Sequence, residues 1–80
     1  MLLRRRPTGL IASAVGATVR LTGIDIGAAE RLRLAQLGLR PGALFTILAR
    51  TSGGGRLIAL GTSRIALDRS TARRLAVEAA

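Results

Sequence analysis

Residues that turn or end a chain recur at short intervals: Asp25 and Gly27, Gly38, Pro41 and Gly42, Gly53 to Gly55, then Gly61, Thr62 and Ser63. Such residues set positive backbone angles, fix a turn or offer competing local hydrogen bonds, so an element rarely runs through them. The segments left between them have room for short strands and one short helix. The same punctuation leaves no stretch near the roughly 18 consecutive apolar residues that a membrane-spanning helix needs.

Periodicity assigns the segments. Residues 17–24 place Ala17, Val19 and Leu21 on one face and Thr18, Arg20 and Thr22 on the other, the alternation of a half-buried strand. From Ala28 the spacing becomes helical, with Ala28, Leu32 and Ala35 in a stripe beside Leu34 and Leu37, and Glu30 stands in the first turn, where a carboxylate suits the positive end of the helix dipole. Leu32 and Leu37 are expected to face the core. Gly38 ends the helix in the left-handed region with Leu39 making the accompanying contact. After the Pro41-Gly42 turn, Phe45, Ile47 and Ala49 alternate with Leu44 and Leu48, so residues 43–50 read as a central strand apolar on both faces. The triple glycine reads as a hairpin loop into a strand over residues 56–60, and Gly61 to Ser63 as a second tight turn before Ile65 and Leu67. Ser70 or Thr71 is expected to cap one helical turn before Ala72, and Leu75 and Val77 alternate in a last strand. The fold expected is mainly β, about five strands with one short helix inserted after the first. Closure into a small bent barrel removes most free edges.

The chain is 80 residues long and 49% hydrophobic, enough apolar content to fold as one domain but too small to enclose a large cavity. It has no Cys, so neither disulfides nor thiolates hold it together. Its 13 basic residues are all Arg against four acids, for a net charge of +9. A charge of this size favours acidic partners, although it also serves solubility alone. Arg4, Arg5 and Arg6 followed by Leu10 and Ile11 imitate a secretory leader, but Pro7, Thr8 and Gly9 interrupt a short apolar run. Residues 1–7 are therefore read as a basic tail and residues 8–80 as the domain.

Catalytic and metal chemistry find little to work with. General acid–base or nucleophilic catalysis calls for His, Cys, a tuned Lys or paired carboxylates. The first three are absent, and of Asp25, Glu30, Asp68 and Glu78, Glu30 starts a helix and Asp68 sits in a turn. No enzyme activity and no cofactor are expected. Ferrous iron favours imidazole, thiolate or grouped carboxylates, which leaves at most a weak oxygen site at Asp25 or Asp68 with backbone carbonyls. The triple glycine lacks the Gly-Lys-Ser/Thr ending of a phosphate loop. Specific nucleic-acid recognition is not expected either, because aromatic platforms for bases are missing: Phe45 is the one aromatic residue and lies in phase with core positions.

Read as one string, Glu30-Arg-Leu-Arg-Leu-Ala-Gln-Leu-Gly-Leu-Arg-Pro-Gly42 resembles the arginine-leucine helix, Leu-Gly-Leu break and Pro-Gly turn of the ferrous iron transport protein A (FeoA) family. The order of the flanking segments agrees, from the strand ending at Gly23 and Ile24 to Ile65-Ala66-Leu67 and Leu75-Ala76-Val77. The resemblance covers roughly residues 8–78. It implies an SH3-like barrel working in the bacterial cytoplasm in iron homeostasis, with the cytosolic GTPase portion of a ferrous iron transporter as partner. It equally implies kinship with the C-terminal domain of iron-dependent repressors, whose DNA-binding helices this chain has no room for. The structural motif residues are Leu32, Leu37, Gly38, Leu39, Pro41 and Gly42. Candidate docking residues are Arg33 and Arg40 beside the Leu-Gly-Leu break and the loop Gly53, Gly54, Gly55 and Arg56, since exposed loops on a rigid scaffold often carry binding. The alternative is a basic barrel that binds nucleic acid through phosphate attraction, which fades with salt.

Overall fold

The computed structural model describes residues 8–80, and the basic tail expected over residues 1–7 lies outside the described residues. Six antiparallel strands form one sheet: β1 Thr8–Gly9, β2 Thr18–Ile24, β3 Leu44–Arg50, β4 Arg56–Leu60, β5 Ser63–Leu67 and β6 Leu75–Ala79. Two helices are inserted, α1 Ala28–Gln36 after β2 and α2 Arg69–Arg73 between β5 and β6. The spatial order is β1-β6-β2-β3-β4-β5, which makes β3 an interior strand as its two apolar faces require. Register shifts between Leu21 and Gly23 on β2 and between Ile47 and Ala49 on β3 bend the sheet. β1, the strand additional to the five expected, pairs Thr8 with Val77 and Gly9 with Ala76 at one edge.

Alternation fills the interior. Val19 and Leu21, Phe45 and Ile47, Ile65 and Leu67, and Leu75 and Val77 are all buried in one cluster. Phe45 is thus a core side chain. Leu10, on a 3-10 turn Leu10–Ala12 behind β1, is completely buried in the same cluster, so the apolar run after the tail belongs to the domain. α2 packs against that turn and against β6.

α1 ends as its sequence predicts. Gly38 has φ +94°, its N–H donates to the Ala35 carbonyl at 2.9 Å and the Leu39 N–H donates to the Leu34 carbonyl at 2.9 Å, the paired bonds of a Schellman motif. Leu34 and Leu39, the two residues that the motif brings into contact, are both buried. The turn that follows is held by the Ala43 N–H to the Arg40 carbonyl at 2.9 Å, with Pro41 and Gly42 at its centre.

Two expectations about side chains are corrected. Leu32 and Leu37 do not face the core: they are 61% and 51% exposed, and Leu34 is the one α1 residue that is buried. The helix lies on the surface and is anchored at its C-terminal end by the Leu34–Leu39 pair, so the face carrying Leu32 never reaches the sheet. Nor does Ser70 or Thr71 cap α2. Asp68 is the N-cap, its carboxylate accepting the Thr71 N–H at 2.7 Å, because the helix begins at Arg69.

Candidate functional site

The docking residues expected from sequence divide into surface and interior. Arg33 and Arg40 are exposed, Arg33 on α1 and Arg40 in the turn before β3. Arg33 lines a shallow groove of about 120 Å³ between α1 and β5, together with Leu37 and Ala66, while Glu30 and Asp68 lie along the same groove. Gly53 is exposed at the tip of the β3–β4 loop and Gly54 is half-buried.

Gly55 and Arg56 lie inside. A Cβ on Gly55 would collide with the Leu67 carbonyl oxygen and stand 2.5 Å from Thr51 Oγ1, so this position accepts only glycine. Arg56 is 5% exposed and does not offer its charge to a partner, a correction to its place among the docking residues. Its Nη1 donates to the carbonyls of Gly54 at 2.8 Å and Gly55 at 2.9 Å, and its Nη2 to the Ile11 carbonyl at 3.0 Å. One guanidinium therefore ties the glycine loop to the turn behind β1. Its planar fork suits this task, since two nitrogens serve three carbonyls at fixed angles. Nε is buried without a partner. A charged residue in a strand reads as solvent-facing by type, and no local signal points to a carbonyl 45 positions away.

The acids do not assemble. Among the described residues there is no group of three or more His, Cys, Asp or Glu placed to hold a metal ion. Asp68 is engaged at the α2 N-terminus, where the Thr71 backbone N–H, then the Thr71 side chain, hold its carboxyl below the usual value. Two polar hollows flank that end of the molecule, one lined by Ser70, Arg73 and Arg74 with a volume of about 230 Å³, the other by Gly27, Glu30, Asp68 and Arg74 among others, about 290 Å³. Neither brings an acid and a base, or a nucleophile and a base, into a hydrogen bond. No helix among the described residues is long and apolar enough to cross a membrane.

The outer face of the sheet changes character along its width. On β2 the outward Thr18 and Arg20 are exposed, an ordinary solvated surface, while Thr22, at the register shift, is half-buried with its hydroxyl buried and unpartnered. From β3 to β5 the outward positions are mostly apolar: Leu44, Leu48, Leu57, Ala59 and Ala66, each half-buried or exposed. A bond of 2.9 Å between the hydroxyls of Thr18 and Thr46 marks the boundary.

No curated protein matches the chain. Solved structures do. A crystal structure of an iron uptake regulatory protein, FeoA, is 27% identical with a TM-score of 0.79, and the match covers 91% of this chain and 97% of that one. A solution structure of FeoA from Chlorobium tepidum is 23% identical with a TM-score of 0.83, covering 90% of this chain and 70% of that one. A manganese-dependent transcriptional repressor matches at 21% identity and a TM-score of 0.82, over 99% of this chain but 45% of the repressor. The fold is thus the mainly β, SH3-like one shared by FeoA proteins and one part of such repressors. The FeoA domain model matches residues 10–79, from the buried Leu10 to the last residue of β6, and on that match the chain belongs to the FeoA domain family.

Proposed function

We propose that this chain is an accessory, regulatory module of ferrous iron uptake that acts by docking to the cytosolic GTPase portion of the ferrous iron permease. The observation carrying the proposal is the family match over residues 10–79. Docking alone does not regulate. It shifts the transporter between states only when the module binds one state more tightly than another.

The match to a manganese-dependent transcriptional repressor favours a second reading, a counterpart of that repressor's equivalent domain, which would dock to a regulator in place of a transporter. A titration of the purified chain against the GTPase portion and against random-sequence RNA, each at low and high salt, tests the proposal. Saturable, salt-tolerant binding to the GTPase portion is expected, with weak RNA binding that fades as counterions compete. Salt-tolerant RNA binding with no GTPase binding overturns it.

A further inference from the structure

We infer that the outer face of β3, β4 and β5 is the surface through which this chain docks, and that its occupant is an acidic protein surface with an apolar centre. The inference rests on the docking proposal and names the face that performs it.

In an antiparallel sheet with one face on the core, the other face normally carries polar residues, as β2 does here. β3 to β5 depart from that rule in register. The shift between Ile47 and Ala49 leaves Leu48 and Ala49 both opposite Leu57, and Leu57 lies opposite Ala66. One step along, Ala59 lies between Thr46 and Arg64. Ile47, Ile58 and Ile65 occupy the same rows on the buried side, so these residues point away from the core. Leu44, 49% exposed, lies apart from the patch, beyond Thr46 and beside Arg20. A contiguous apolar patch over three strands is a feature of interaction surfaces, while single exposed apolar residues are not.

Charge selects the occupant. Arg64 stands at one rim, Arg20 beside Glu78 at another, and Arg33, with Glu30 and Asp68 along the same groove, lies past Ala66 towards α1, so the selection rests on the excess of positive charge over the whole chain. With a net charge of +9, two copies repel, which disfavours self-association through this face and favours a partner of opposite sign. An anionic bilayer shares that sign. The patch, however, is leucine and alanine, without the Trp or Phe that seat a protein among lipids, and a dry centre with a charged rim is the anatomy of a protein–protein contact.

The test places a carboxylate in the patch. Ala59→Glu and Ala66→Glu are compared with wild type and with Arg40→Glu by titration against the GTPase portion of the transporter, with far-UV circular dichroism on every variant. Ala66 is exposed, so its variant folds even where the half-buried Ala59 position does not tolerate the change. At least a tenfold loss of affinity in the Glu variants, with unchanged spectra and little effect of Arg40→Glu, supports the inference. Unchanged affinity in folded Glu variants overturns the assignment of the face and leaves the docking proposal standing. Absence of wild-type binding overturns both. Two further results also overturn the inference: dimerisation in sedimentation that the Glu variants abolish, or binding to vesicles of equal parts phosphatidylglycerol and phosphatidylcholine that they abolish, without GTPase binding.

Discussion

Replacing Arg56 by methionine tests whether a lone buried guanidinium stabilises this fold or burdens it. Three bonds of a charged donor are worth about 1.5–3 kcal/mol each, so the gross gain is about 4–9 kcal/mol. Against it stand the desolvation of the charge, several kcal/mol, and the unpartnered Nε, about 1–3 kcal/mol. These terms nearly cancel, so the decisive quantity is what the substitution leaves behind. The Gly55 carbonyl keeps a bond from the Thr51 N–H at 3.0 Å, but the Gly54 and Ile11 carbonyls lose the guanidinium, at about 1–2 kcal/mol each for part-buried groups. Relief of the buried charge offsets some of this.

Arg56→Met is therefore expected to cost about 2–3 kcal/mol, which in a domain of this size lowers Tm by about 10–20 °C. Arg56→Lys is expected to cost at least as much, because an ammonium keeps the charge but cannot fork to the loop and to Ile11 together. Urea unfolding followed by far-UV circular dichroism measures both, as the chain has no Trp or Tyr to report by fluorescence. A methionine variant as stable as wild type refutes the reasoning, showing that desolvation outweighs the bonds; a lysine variant as stable as wild type shows that charge, and not the fork, is what matters.

Gly55→Ala drives a methyl group against the Leu67 carbonyl and Thr51 Oγ1, so a loss of about 3 kcal/mol or more in the same assay is expected. Leu34→Ala should cost about 2–4 kcal/mol, whereas Leu32→Gln, on the exposed face of α1, should stay within about 0.5 kcal/mol; equal losses would contradict the burial pattern of the helix. Asp68→Ala removes the α2 cap. Because the folded state holds this carboxyl below its ordinary 3.8, its contribution is complete above that pH and is lost as pH falls through the lower folded value. The Tm gap between wild type and Asp68→Ala should therefore be constant from neutral pH down to the ordinary carboxylate range and close below it; a gap that persists in stronger acid would point to packing and not to the cap.

Alternation is a local property, so the pairs Val19/Leu21, Ile65/Leu67 and Leu75/Val77 identified the buried side of three strands before any fold was known. Gly38 and Leu39 were readable for the same reason, since a Schellman motif is built within six residues. What stayed hidden depends on partners distant in the chain. Two residues cannot display a period, so β1 exists only through Val77 and Ala76. A helical stripe states which residues share a face but not where the helix is pinned, and Leu32 and Leu37 were assigned to a core that only Leu34 reaches. Arg56 was placed on the surface with the glycine loop it follows, because its distant partner, the Ile11 carbonyl, belongs to a turn far away in the chain. The candidate surface was hidden differently: β3 was read as apolar on both faces, which normally means burial on both, and only the structure reveals that the outward Leu44 is exposed and Leu48 half-buried.

The residues that carry the family likeness and those that carry the candidate surface barely overlap, and the physical roles explain why. Gly38, Leu39, Pro41 and Gly42 end a helix and turn the chain, tasks with few chemical solutions, so any chain with this fold needs something close to them. Leu48, Leu57, Ala59 and Ala66 lie outside the buried core cluster, half-buried or exposed on the outer side of the sheet. Apolar residues there cost solubility in an otherwise strongly charged chain. The docking role proposed above would account for them, and that would separate a requirement of the fold from a requirement of the partner.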